Sequence, residues 1–119
     1  MLAKKFERCE SVMTIEIDDK SYVCDLSKDE VAILFYDLPK ILNDAEVAMK
    51  KDTTDMHEVK DIYKDVIDTF LYAGASKDIF IEDDSLSFHE DVFQYLLNEY
   101  KEYRERKTMK YSKARLLQR

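Results

Sequence analysis

The stretch SFHEDVFQYLLNEYKEY, residues 87–103, decides the fold of this chain of 119 residues. Its apolar side chains recur three and four residues apart, the spacing of one face of an α-helix; they are Phe88, Val92, Phe93, Leu96, Leu97, Tyr100 and Tyr103. Because they cover more than one narrow stripe, we expect this helix to have two apolar neighbours. Ser87 and Glu90 form a capping box that predicts the helix start, and we expect its end near Lys107.

Another helix is predicted nearer the N-terminus. Ser27, with Glu30 three residues later, forms a second capping box. The apolar residues that follow have helical spacing, with an interruption expected near Pro39 because proline lacks the amide hydrogen; they are Val31, Leu34, Phe35, Leu38, Ile41 and Leu42.

A short helix and a longer one are expected between these two. Asn43 or Asp44 could cap the short helix, which would run through Lys51. Thr53 or Thr54 is expected to begin the longer one. Its apolar residues are again at helical spacing; they are Met56, Val59, Ile62, Tyr63, Val66, Ile67, Phe70 and Leu71.

Gly74 stands where a left-handed residue is expected to end the longer helix. The segment from Ser76 to Ile81 is short and apolar near its end. It could form one helical turn or a strand, and we favour the turn.

The N-terminal part alternates in the manner of strands. Residues 14–17 (TIEI) and 21–24 (SYVC) alternate apolar and polar side chains, and residues 18–20 (DDK) between them are turn formers. This pattern predicts a β-hairpin. The expected fold is mainly α, a helical bundle-like single domain with a small N-terminal hairpin. Within it, residues 1–12 are a leader that need not be ordered, 13–25 the hairpin, 27–107 the helical body and 108–119 a frayed basic tail.

The formal charge of −7 is unevenly distributed. From Arg104 to Arg119, seven basic residues stand against Glu105 alone, a net charge of +6, so the rest of the chain carries −13. An acidic body repels phosphate backbones, which argues against a broad nucleic-acid surface. The basic residues that we single out for binding are Arg104, Arg106, Lys107, Lys110, Lys113 and Arg115.

The sequence contains no pattern that indicates catalysis. It has no serine or cysteine nucleophile motif and no glycine-rich phosphate loop. His57 and His89 lack the spacing of a helical zinc site, and we expect both on the surface. The acidic runs 82–84 and 18–19 lack the central glycine of a calcium loop and are interpreted as solvated loops. We therefore predict no enzyme, no metal and no cofactor.

The compartment is predicted from cysteines and hydropathy. Cys9 and Cys24 have neither metal nor redox spacing, and we expect both to be reduced. No apolar run approaches the roughly 20 residues needed to span a bilayer. We expect a cytoplasmic protein without membrane contact.

Three stretches together suggest a family. They are IEIDDKSY at residues 15–22, IDTFLYAGASKDIF at residues 67–80, and KYS at residues 110–112 in the basic tail. The chain resembles, over roughly residues 13–115, small tail-assembly chaperones of long-tailed phages of Gram-positive bacteria. Those proteins tend to have two glycines in the turn where this chain has only Gly74, and a further glycine where it has Ile81.

The resemblance implies a chaperone that keeps the long, apolar, helical tape-measure protein soluble in the bacterial host cytoplasm. The physical hypothesis is helix-in-groove packing and self-association, with the basic tail against an acidic neighbour. Tyrosine suits interfaces because its ring is apolar and its hydroxyl polar. The side chains expected to divide between core and client or self-contact are Phe35, Leu38, Phe70, Phe80, Phe93, Leu97, Tyr100 and Tyr103. The alternative is a small DNA-binding regulator that uses the basic C-terminal segment.

Overall fold

The computed structural model describes residues 3–51 and 56–117, with side chains up to residue 112. Within these residues the chain is mainly α-helical with a two-stranded N-terminal sheet, which confirms the predicted fold class. The elements, in chain order, are β1 Val12–Ile17, β2 Lys20–Asp25, α1 Asp29–Tyr36, α2 Leu38–Met49, α3 Met56–Phe70, α4 Ala75–Ile79 and α5 Leu86–Leu117.

Strands β1 and β2 form the predicted antiparallel hairpin, with Ile15 paired to Tyr22. Both side chains are buried, since alternate residues of each strand point to the same face. Asp18 and Asp19 form the turn with φ of 49° and 66°, the left-handed backbone that two-residue hairpin turns require. The Tyr22 hydroxyl donates a hydrogen bond of 2.6 Å to Asp78 Oδ2 on α4, which ties the hairpin to the helices.

Helix α1 begins at Asp29 and not after a capping box at Ser27, so that part of the prediction is wrong. The Ser27 hydroxyl instead donates to Asp25 Oδ1 at 2.7 Å, and the Ser27 amide donates to the same oxygen. Lys28 occupies the N-cap position without a capping side-chain bond. The local hydrogen bonds to Asp25 therefore compete with the capping role of Ser27, and the serine bonds to the hairpin end instead.

The interruption near Pro39 is confirmed, because α1 ends at Tyr36 and proline lies in the first turn of α2. A separate helix capped by Asn43 or Asp44 is wrong: α2 runs without a break from Leu38 to Met49. The inward-facing residues of α2 keep their helical spacing through this region. Asn43 and Asp44 therefore lie within the helix, on its solvent-exposed side.

Thr53 and Thr54 lie outside the described residues, so the predicted start of α3 stays a prediction. Gly74 has φ of 91°, the expected left-handed conformation. It is, however, the N-cap of α4, because α3 already ends at Phe70. The helical turn favoured after it is confirmed as α4.

Helix α5 starts at Leu86, before the predicted capping box at Ser87. Ser85 supplies the cap, since its hydroxyl accepts a hydrogen bond from the Phe88 amide at 3.2 Å. The predicted end near Lys107 is also wrong, because the helix continues to Leu117. Its 32 residues span about 48 Å and account for most of the molecule's 68 Å length.

The core lies between α5, α3 and the inner face of the hairpin. Helix α3 packs along α5, while α1, α2 and α4 contact α3. The largest fully buried side chains are Phe70, Leu26, Ile67, Leu96, His89, Val31, Val59 and Cys24. Besides α3, helix α5 contacts α1, where the Tyr100 ring meets that of Phe35, so it has two apolar neighbours as predicted.

Candidate functional site

The side chains singled out for contact with a partner are mostly inside the molecule. Phe70, Phe80, Phe93, Leu97, Tyr100 and Tyr103 are each 6% exposed or less. Phe35 and Leu38 are half-buried against the same core. In this conformation the first six hold the fold together and present no surface to a client.

Aromatic contacts explain why these rings lie inside. The Tyr100 ring centroid is 5.0 Å from that of Phe35 and 6.3 Å from that of Phe70. The Tyr63 and Phe93 rings meet edge to face at 5.3 Å. Such pairs add stability beyond their buried area. The tyrosines of α5 therefore join α1, α3 and α5.

Five of the exposed large apolar side chains among the described residues lie on α1 and α2. We call them the α1–α2 apolar surface: Ile33 (60% exposed), Tyr36 (74%), Leu42 (43%), Val47 (52%) and Met49 (44%). Other exposed apolar side chains lie on the hairpin, around α4 and along α5. Single exposed apolar residues are ordinary, but five on two consecutive helices are a candidate contact area.

A sequence signal for this surface exists in residues 31–36, VAILFY, which are apolar on every side of one helix. A helix buried on a single face needs only a stripe of such residues. Val31 is buried, and Ile33 and Tyr36 are left in solvent. The helical spacing of the apolar stripe predicted which residues of α1 face inward, but it did not indicate that Ile33 and Tyr36 would be exposed.

The basic end of α5 is helical and partly bonded to the rest of the chain, so the predicted frayed tail is wrong. Lys110 Nζ donates to the Arg8 carbonyl oxygen at 2.9 Å. The Arg104 guanidinium lies 5.9 Å from the Phe35 ring centroid, and Lys107 Nζ lies 5.6 Å from that of Tyr103. Arg106 is exposed. The side chains of Lys113 and Arg115, and all of Arg119, lie outside the described residues.

Residues 3–11 have no regular secondary structure, yet they contact this end of α5. The Phe6 ring is parallel to that of Tyr111, with centroids 6.3 Å apart. The Leu26 amide donates to the Ser11 carbonyl oxygen at 3.0 Å. Cys9 packs against the core, and it and Cys24 are free thiols. Burial raises the pKa of Cys24 to about 11, which keeps that thiol protonated.

His89 is fully buried, which corrects the expectation that it lies on the surface. Its ring stacks on Phe80 with centroids 3.7 Å apart. Nδ1 lies 2.7 Å from the Ser85 carbonyl oxygen, and because a carbonyl only accepts, Nδ1 is the protonated nitrogen. Nε2 lacks a hydrogen-bond partner and lies 3.6 Å from Asp84 Oδ1. His57 is exposed, as predicted.

The acids beside His89 are structural. Asp83 accepts a hydrogen bond from the Ser85 amide at 3.0 Å. Asp84 is paired with Lys60 and Lys64 of α3 at 3.4 Å each. In the described ranges no three histidine, cysteine or acidic side chains lie close enough to hold a metal ion.

None of the helices within residues 3–51 and 56–117 has the length and apolar character to cross a bilayer. Comparison with protein-family models, with curated proteins and with solved structures found no match to this chain. The fold and the site therefore define the protein by its architecture alone. It is a small, mainly helical protein with an N-terminal hairpin and the exposed α1–α2 apolar surface.

Proposed function

We propose that this chain is a tail-assembly chaperone of a long-tailed phage, which binds the tape-measure protein and keeps it soluble in the host cytoplasm. The observation that carries the proposal is the α1–α2 apolar surface, whose five side chains are 43% to 74% exposed. The resemblance of residues 15–22, 67–80 and 110–112 to that family supports it independently.

The physical basis is the burial of apolar side chains against an apolar helix. Fully burying one Ile, Leu, Val or Met side chain contributes about 1.5–3 kcal/mol. Association also costs several kcal/mol in lost freedom, so a few such contacts give modest affinity. Modest affinity suits a chaperone, since the client must leave when the tail tube encloses it.

The proposal includes self-association. The basic end of α5 and the acidic remainder of the chain are complementary in charge, with +6 from Arg104 onward against −13. Sedimentation at several protein concentrations tests this: a concentration-dependent oligomer that weakens at high salt supports it, and a strict monomer contradicts it.

Co-expression with a tape-measure protein tests the chaperone function. The wild-type chain should raise the soluble fraction of the client and copurify with it. A variant with Ile33→Ser and Tyr36→Ser should lose both effects, because it removes apolar area from α1. The matched control is Val12→Ser with Val23→Ser, two exposed hairpin residues (53% and 60%), which should retain both.

Two results would overturn the proposal. One is a client that stays insoluble with wild-type protein. The other is an equal loss of client with the hairpin control, which would indicate that exposed apolar residues anywhere bind nonspecifically. Circular dichroism of each variant establishes that the helices remain.

A further inference from the structure

A groove lies between the end of the hairpin and the basic half of α5. Its volume is about 470 Å³, and its walls are residues 26–29 on one side and α5 from Tyr100 to Tyr111 on the other. A second cavity of about 310 Å³ shares Ser27, Tyr103 and Lys107 with it and is closed by residues 8–11. We call the two together the cationic groove, because Arg8, Lys28, Arg104 and Lys107 line it.

Within the part of the chain that the structure describes, the cations of this groove are not neutralised by ion pairs. Lys28 Nζ donates to the carbonyl oxygens of Thr69 and Leu71 at 3.0 and 3.2 Å. Arg104 and Lys107 lie over aromatic rings. The lysine–carboxylate pairs of the described residues all lie elsewhere, at Lys20, Lys50, Lys51, Lys60 and Lys64.

One carboxylate, Asp29, also lines the groove. Against it stand the four cations, so the lining keeps a net positive charge in a chain whose overall charge is −7. Clefts lined by one sign of charge concentrate ligands of the opposite sign. Charge complementarity therefore favours an anionic ligand for the groove.

The ring contacts favour a polypeptide over a nucleic acid. Single-stranded nucleic acids need aromatic faces open for base stacking. Tyr100 and Tyr103 are 3% and 5% exposed, and the Tyr111 ring is already parallel to that of Phe6. The groove therefore offers cations without an open ring for base stacking, which favours a carboxylate-bearing segment over a nucleic acid.

The size of the groove and the chemistry of this chain narrow the occupant further. The larger cavity is within the roughly 300–1,000 Å³ of sites for organic ligands, more than a single inorganic anion needs. In the longest acidic run of this chain, residues 82–84, Asp83 and Asp84 are already bonded within the chain, which makes that run a poor occupant of the groove. We propose that the cationic groove binds an acidic segment of a different protein, whose carboxylates pair with Arg104 and Lys107.

A labelled synthetic peptide of alternating glutamate and glycine tests this, with a glutamine–glycine peptide as the neutral counterpart. Fluorescence anisotropy at low salt should show binding of the acidic peptide alone. Arg104→Gln with Lys107→Gln should weaken it by about tenfold or more, because two charge-assisted contacts are lost. The control is Lys40→Gln with Lys77→Gln, two exposed lysines on α2 and α4, which should change affinity by less than about twofold.

Equal binding of both peptides, or equal weakening by both variant pairs, overturns the proposal. So does tighter binding of a single-stranded oligonucleotide through Arg104 and Lys107, or self-association that these two substitutions abolish. Lys107→Gln alone leaves the Arg104–Phe35 contact in place, so it keeps the test valid if the double variant unfolds. The inference is independent of the client, since Ile33→Ser with Val47→Ser, two exposed residues outside the groove lining, should leave peptide binding unchanged.

Discussion

The imidazole of His89 lies parallel to the ring of Phe80, with centroids 3.7 Å apart and an angle of 9° between the planes. The stack joins the first turn of α5 to the residue that ends α4. It holds His89 with Nδ1 bonded to the Ser85 carbonyl oxygen and with Nε2 facing Asp84. A histidine in this position is neutral in the folded protein, which has a measurable consequence.

The stability of the protein should decrease as the pH falls below about 6.5, the pKa of an unperturbed histidine. Burial lowers the pKa of His89 in the folded state, and the nearby Lys60 and Lys64 act in the same direction, while the Ser85 carbonyl and Asp84 oppose them. The unfolded state then binds more protons than the folded state, so the free energy of unfolding rises with pH. Chemical unfolding at several pH values between 5 and 8 measures this dependence.

Two variants isolate the contribution of His89. His89→Phe retains a stacking ring and removes the titration, so its stability should change less between pH 7 and 5 than that of the wild type. Ile81→Ala removes an exposed side chain that does not titrate and should keep the wild-type dependence. If His89→Phe keeps the wild-type pH dependence of stability, that dependence arises from other titrating groups.

The cap of α5 should depend on Ser85 and not on Ser87. Ser85→Ala removes the oxygen that accepts from the Phe88 amide and should lower the free energy of unfolding by about 0.5–2 kcal/mol. Ser87→Ala, inside the first turn, should change it by less than about 0.5 kcal/mol. Urea titration of both variants measures the two free energies of unfolding. A larger loss for Ser87→Ala than for Ser85→Ala would place the helix cap at Ser87, as the sequence predicted.

Leu96 on α5 should be among the costliest residues to truncate. Its side chain is fully buried in the core, so Leu96→Ala should lower the free energy of unfolding by about 2–5 kcal/mol through lost burial and the cavity left behind. Ile81→Ala, at a residue that is 70% exposed, should cost less than about 1 kcal/mol. Calorimetry of both variants compares them, and similar losses would place Ile81 in a buried contact.

Gly74 should resist substitution because of its backbone and not because of crowding. Apart from Gly74 and its chain neighbours, no described residue has a heavy atom within 4 Å of the position a Cβ would take, but φ is 91°. Gly74→Ala should therefore cost about 1 kcal/mol or more, since a side chain disfavours this conformation. Asparagine tolerates left-handed backbone better, so Gly74→Asn should be less destabilising in thermal unfolding. Equal losses for both would indicate a steric cause.

Much of the fold was predictable because it depends on local spacing. The periods of two and of three to four residues located the hairpin and the helices, and proline at residue 39 located the break between α1 and α2. The errors lie at element ends, where two polar groups compete. Ser27 was expected to cap α1, but Asp25 lies two residues away and takes its hydroxyl. Ser85 and Ser87 are both of a residue type that caps helices, and in the structure the Ser85 hydroxyl accepts from the Phe88 amide.

The candidate sites were less predictable, because burial depends on which faces meet in space. Most of the phenylalanines and tyrosines expected to reach a partner are buried in the contacts among α1, α3 and α5. His89 has a polar pattern around it in the sequence, yet Phe80 covers it. The cationic groove joins residues 8–11, 26–29 and 100–111, which are distant in the chain.

Residues 87–103 determined by themselves that a long helix with a wide apolar face organises this protein, since helical spacing is a property of neighbouring residues. The sequence likewise determined the hairpin and the split between an acidic body and a basic end. Only the tertiary structure decided that Phe93, Tyr100 and Tyr103 of α5 face inward while Ile33 and Tyr36 stay in solvent. The reason is that the Tyr100 ring of α5 packs against Phe35 of α1 and Phe70 of α3, whereas the outer side of α1 has no such neighbour among the described residues.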